Sequence, residues 1–344
     1  MAGNRFGYDS EGKDAWLAQV QEPVLLPEQP IIDAHHHLWI RDGDPYLLRE
    51  LAADLNSGHR IVGTVYEECG SMYRRTGPEA MRPVGEMEFV AGVAAMSSAG
   101  AFDTHGVCTA AVGWVDLTLG AAVEPVLEAL VAASGGRMRG VRAQACWDAS
   151  ERIHSAAGGP DLLDSSAVRD AIGVLARMGL VLDCWLYHPQ LSQLVRVADA
   201  FPDLAIVLDH VGTPIVGGPY RDQLDAVRAD WSTGMRALAE RANVTVKLGA
   251  LAAKFDGPNR QRSLPPTAED VERAWAPWML PCIEWFGARR CMFESNFPVH
   301  RNWLSYATTW NAFKRMTMGA SVDERDALFA GTAARVYAIE RGAE

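Results

Sequence analysis

The nine residues Ile31-Ile32-Asp33-Ala34-His35-His36-His37-Leu38-Trp39 decide how the chain is to be read. A short β-branched run delivers three histidines at its end, where a doubly wound nucleotide-binding sheet would carry a glycine-rich phosphate turn. Period-two alternation puts Asp33, His35 and His37 on one face of such a strand and turns His36 away. A His-x-His pair on adjacent inward positions suits one divalent metal ion, or a grip on one carbonyl oxygen.

Outward from this strand, seven more apolar runs follow: Ile61 to Cys69, Cys108 to Leu117, Met138 to Cys146, Leu180 to His188, Ala205 to Val211, Val244 to Leu251 and Cys291 to Val299. Amphipathic stretches with helical period lie between them, among them Ser166 to Met178 and Ala268 to Phe286. Eight strands alternating with helices predict an α/β chain folded as a single-domain (β/α)8 barrel over residues 30–340, with residues 1–29 as an N-terminal extension. Ser321 to Glu324 and Thr267 to Asp270 have the form of capping boxes that open helices. The polar, proline-containing stretch Ala252 to Pro266 is expected to be a lid over the mouth of the barrel.

Composition narrows the partners. The 344 residues carry 43 acidic and 32 basic groups, a net charge of −11. Without a Lys/Arg run to follow a phosphate backbone, and without an apolar stretch long enough to span a bilayer, neither nucleic acid nor a membrane is expected. Small-molecule chemistry in the cytoplasm is the expectation, with a homo-oligomer left open. The six cysteines are scattered without a CxxC and read as buried free thiols.

In a barrel of this kind, reactive groups gather where the strands end. His35, His37, His188 and His210 all fall at predicted strand ends and form the expected metal set, while His59, His105 and His154 read as surface groups. Arg142, on the fourth run, suits a substrate carboxylate or an ion pair closing the barrel. Lys247 and Tyr187 are further substrate-binding candidates. On the eighth run, Met292, Glu294 and Asn296 share a face, so Glu294 is a candidate base and Asn296 can orient a water.

These motifs, Ile32 to Trp39, Arg139-Gly140-Val141-Arg142, Leu208 to Gly212 and Met292 to Val299, resemble the amidohydrolase superfamily, and more narrowly its lactonase-like branch. The resemblance implies a barrel in which His35, His37 and His210 bind one divalent ion, most simply zinc, or polarise a lactone carbonyl directly. His188 matches a further metal ligand of metal-dependent relatives, and Arg142 a substrate-holding position. One departure stands out: catalytic members present Asp on strand eight as the base that activates water, and this chain has Asn296. The implied activity is hydrolysis of a lactone, from a sugar acid or an aromatic-degradation intermediate, with a carboxylate expected on the substrate. Metal-dependent decarboxylation and a non-catalytic ligand-binding barrel are the alternatives.

Overall fold

The computed structural model describes residues 12–251 and 263–341. After the short helix α1 (Lys13–Leu17), strand β1 (Ile31–His36) leads into a hairpin of β2 (Trp39–Arg41) and β3 (Asp44–Tyr46). Seven further strands follow: β4 (Ile61–Glu67), β5 (Ala110–Gly113), β6 (Met138–Gln144), β7 (Val181–Trp185), β8 (Ile206–Leu208), β9 (Val244–Leu248) and β10 (Cys291–Phe293). Together with β1 they pair in parallel in that sequence order. The ring closes just past the last strand, where Asn296 N–H donates to the His35 carbonyl (2.9 Å) and His37 N–H to that of Phe297 (2.7 Å).

Helices α2 (Leu48–Leu55), α3 (Val84–Ser98), α4 (Glu124–Ala133), α5 (Ser166–Met178), α6 (Leu191–Ala200), α7 (Leu224–Ala239) and α8 (Ala268–Phe286) carry the chain between strands. After β10, α9 (Tyr306–Met316), α10 (Val322–Asp326) and α11 (Thr332–Val336) complete the fold. Helix α5 shows why they form. Val168, Ala171, Ile172 and Leu175 recur at helical spacing and are buried, Arg177 faces the C-terminal dipole, and Gly179 ends the helix at φ +68°. Both expected capping boxes are present, at Thr267/Asp270 and Ser321/Glu324.

Two apolar layers hold the fold. Ile32, Ala34, Val65, Ala110, Val112, Val181, Val207 and Met292 fill the barrel interior, with Tyr337 packed among them. Tyr66, Val141, Leu182, Leu208, Val246 and Phe293 face outward against the helices. All six cysteines are free, as expected.

The alternation expected along β1 fails at one point. The pairing of β1 with β4 shifts register between Asp33 and His36, so Ala34 joins the interior cluster and His35 still faces inward. Asp33 is thereby carried to the outside of the barrel. Its carboxylate accepts from Ser295 N–H (2.9 Å), Ser295 Oγ (2.6 Å) and the Tyr306 hydroxyl (3.0 Å), and it does not touch either site histidine ring. Burial lifts the Asp33 carboxyl to about 6.

Of the expected lid, residues 252–262 lie outside the described residues. Among the described residues, no helix is long and apolar enough to cross a membrane.

Candidate active site

Inward-facing charges meet beneath the C-terminal ends of the strands. The Lys247 ammonium is fully buried and donates to Glu67 Oε2 (2.9 Å) and Asp183 Oδ2 (2.7 Å), with Asp209 Oδ1 at 3.2 Å. Burial alone would lower the Lys247 pKa, but these three carboxylates raise it well above the ordinary value. Lys247 therefore sits below the cavity as the counter-charge of its floor, and does not line the cavity as a substrate-binding group would. The physical reason is depth: it is the fourth of the five β9 residues and points into the ring.

Above this layer lie the site histidines. His35 Nε2 and His37 Nε2 are 3.2 Å apart. His37 Nδ1 donates to the Glu67 carbonyl (2.9 Å), which can only accept, so its Nε2 presents a lone pair. That lone pair faces Asn296 Oδ1 at 3.2 Å, a second acceptor. His35 Nδ1 lies 3.1 Å from Glu294 Oε2 and 3.3 Å from Lys247 Nζ. Burial pulls the His35 pKa down to about 4, so the ring is neutral at physiological pH.

His210 is fixed at both nitrogens. Arg142 can only donate, so the His210 Nε2 atom 3.1 Å from it is an acceptor, and Nδ1–H donates to Glu294 Oε1 at 2.8 Å. Glu294 is buried and absent from the cavity lining. Burial would raise its carboxyl, but His210 and His35 hold it far below the usual carboxylate range. The carboxylate approaches so closely to β9 that a Cβ at Gly249 would lie 2.3 Å from Glu294 Cγ. His210 and Asn296 both adopt left-handed backbone, φ +58° and +53°, at the points where their strands turn into loops.

The guanidinium of Arg142 completes the floor. Its Nε donates to Asp209 Oδ2 (2.9 Å), with Glu67 and Glu68 oxygens each 3.8 Å away. Over these groups opens a cavity of about 740 Å³, lined by His37, Arg142, His210, Asn296, Tyr187 and His300, with Trp39, Trp185 and Trp303 on its walls.

His188 does not join the other histidines. The fifth barrel strand ends at Trp185, which takes the last inward position, and the chain then enters a 3-10 turn at His188-Pro189. His188 Nδ1 accepts from Ile215 N–H (3.3 Å) and its ring meets Tyr220 edge-on at 5.5 Å. The Tyr187 hydroxyl donates to the His154 carbonyl (2.6 Å). His154 itself is a wall residue beside Trp185, and His59 is buried against the Lys314 ammonium, so neither is the surface group expected. His105 is exposed.

Glu67, Glu68, Asp183 and His300 were not legible as site residues, although an acidic residue inside an apolar run is a usable signal: a buried carboxylate requires a partner.

The sequence profile of the amidohydrolase family matches residues 32–339, and the chain belongs to that family. It is 28% identical to an L-fucono-1,5-lactonase of Burkholderia multivorans over 324 residues, covering 91% of this chain and 97% of the other. It is also 29% identical to the uncharacterized protein y4mH of Sinorhizobium fredii, covering 90% and 98% of the two chains. Among solved structures, an amidohydrolase from Burkholderia multivorans with bound HEPES superposes with a TM-score of 0.69 at 25% identity, covering 90% and 99%. A second crystal form of an amidohydrolase from that organism holds zinc, with a TM-score of 0.69 at 24% identity and the same coverage.

Proposed function

We propose that the protein is a hydrolase that opens a lactone, and that a single divalent ion, zinc in the simplest case, serves the reaction. The observation that carries the reading is the convergence of His37, His210, Arg142 and Asn296 on the floor of one cavity, with the buried His35 ring against His37. The lactonase-named relatives and the family assignment support the same reaction class.

The residues fit a metal ion on their own chemistry. With the His35 proton on Nδ1, it serves Glu294 Oε2, an otherwise unpartnered buried oxygen 3.1 Å away. Three lone pairs, from His35 Nε2, His37 Nε2 and Asn296 Oδ1, then meet with no hydrogen between them. The two separations of 3.2 Å, His35 Nε2 to His37 Nε2 and His37 Nε2 to Asn296 Oδ1, match the edge of a tetrahedron with bonds of about 2 Å, roughly 3.3 Å. Among the described residues, two other groups of three come close enough for an ion: in His35, His210 and Glu294 the carboxylate is taken up by the two Nδ1 atoms, and His35, Glu67 and Asp209 enclose the Lys247 ammonium. An ion held by His35, His37 and Asn296 would polarise the lactone carbonyl and bring the pKa of a water toward about 7.

The chain's own groups supply the rest. His210 lines the cavity, and its Nε2 lone pair, which accepts from Arg142 Nη2 here, takes the proton of the attacking water when that contact opens. Glu294, hydrogen-bonded to Nδ1, stabilises the imidazolium that results. Glu294 thus acts through His210 and does not meet the water itself. Asn296 orients, having no basicity of use. The Arg142 N–H groups aim at the developing oxyanion.

A carboxylate on the substrate gains little support from Arg142. Its charge is already met by Asp209, with Glu67 and Glu68 close by. Uncharged lactones are accordingly the first panel to test. Zinc-supplemented protein should release acid from at least one five- or six-membered lactone in a pH-stat, and dialysis against a chelator should abolish the release until zinc is restored. Absence of turnover across such a panel, with metal bound, would reject the lactonase reading.

A further inference from the structure

Opening a lactone needs two proton transfers, one from the attacking water and one to the departing ring oxygen. His210 accounts for the first. Asn296 has no acidic proton to give, and His210 stands on the side of the attacking water, so the departing ring oxygen needs a donor of its own.

Glu68, immediately after β4, meets the need. Its side chain is 1% exposed, yet it lines the cavity. Oε1 accepts from Gln144 Nε2 and lies 3.8 Å from Arg142 Nη1. Oε2 has no hydrogen-bond partner among the described residues. Arg142 Nη2 meets His210 Nε2 at 3.1 Å. Glu68 and His210 therefore flank the two arms of one guanidinium, so a carbonyl carbon seated over Arg142 has a base on one side and a carboxyl group on the other.

On the lactonase reading above, we propose that Glu68 is the acid that protonates the departing ring oxygen. As the tetrahedral carbon collapses, its bond to the ring oxygen breaks and the electron pair stays on that oxygen. The proton of Glu68 Oε2 passes to it, giving the hydroxyl of the product. The carbonyl reforms as the product acid, and the Glu68 carboxylate left behind is met by Gln144 and Arg142. The proton taken from water by His210 returns to solvent with product, and Glu68 is reprotonated from solvent. Water plus lactone thus becomes hydroxy acid without another reactant. Burial, opposed by Arg142, pushes the Glu68 carboxyl up to about 7, so a protonated fraction exists at neutral pH.

The test compares leaving groups. Dihydrocoumarin expels a phenolate that needs no proton, whereas δ-valerolactone expels an alkoxide that does. Glu68→Gln keeps the shape and removes the proton, and is expected to lower kcat on δ-valerolactone about 100-fold or more, the scale of general acid catalysis. The loss on dihydrocoumarin should stay under about 5-fold. The wild-type rate on δ-valerolactone should also fall as pH rises through about 7, because the acid form is lost, and that limb should vanish in the variant.

Equal losses on both lactones, or no loss on either, overturn the assignment while leaving the lactonase reading intact. If wild type opens neither lactone nor any other of the panel, that reading falls and the acid falls with it. Should Glu68→Gln not fold, Gln144→Ala removes only the hydrogen bond to Oε1. A loss confined to the alkyl lactone then supports the acid, and equal losses overturn it.

Discussion

The ends of β1 and β7 look alike in sequence and do opposite things. Each closes an apolar run with histidine, His35 and His37 in one case and His188 in the other. In β1, a one-residue slip of the ladder after Asp33 keeps both His35 and His37 pointing into the cup. In β7, regular pairing leaves Val181, Asp183 and Trp185 as the inward residues, and His188 leaves the barrel with the turn that follows. A histidine's proximity to a strand end is therefore weak information. The register of the preceding residues decides which way it points, because a shift of one residue exchanges the two faces of a strand.

The largest expected effect breaks the β1 side of this comparison. His37→Ala removes one of two adjacent ring nitrogens, and metal analysis of zinc-loaded protein should fall from about one ion per chain to near zero. Retention of stoichiometric zinc in that variant would refute the assignment of His35, His37 and Asn296.

Next comes Lys247→Met, which tests whether the floor beneath both strand ends is a counter-charge device. It leaves Glu67, Asp183 and Asp209 buried without their cation, and breaking a buried pair in this way costs about 3–5 kcal/mol, measurable by denaturant unfolding. A variant of native stability with a raised KM would instead return Lys247 to the substrate-binding role expected from sequence.

The smallest effect concerns β7. His188→Ala forfeits an edge-on ring contact and an acceptor for Ile215 N–H, together about 1–3 kcal/mol. Its zinc content should match wild type, and a clear loss of metal would place His188 back in the ligand set.

Much of the architecture follows from sequence alone. Eight apolar runs at regular intervals can satisfy their backbones only as paired strands, and long amphipathic segments between them force parallel crossovers, so the barrel is legible in the sequence. The His-x-His signal and the shared face of Met292, Glu294 and Asn296 were legible for the same reason, since period-two alternation is local.

What tertiary structure alone decided is which charges meet. Lys247 and Arg142 looked equivalent, each a cation on a strand. Yet Lys247 lies deep among three carboxylates, while Arg142 reaches the cavity beside Glu68 and His210. Depth along the barrel axis depends on the stagger between neighbouring strands. Stagger is set by ladder register and by how the ring closes at His37 and Phe297, contacts between residues 260 positions apart. No periodicity within one strand carries that information, so His35, His37, His210, Arg142 and Asn296 are legible in the sequence, while Glu67, Glu68, Asp183 and His300, and the role of each group, depend on the closed ring.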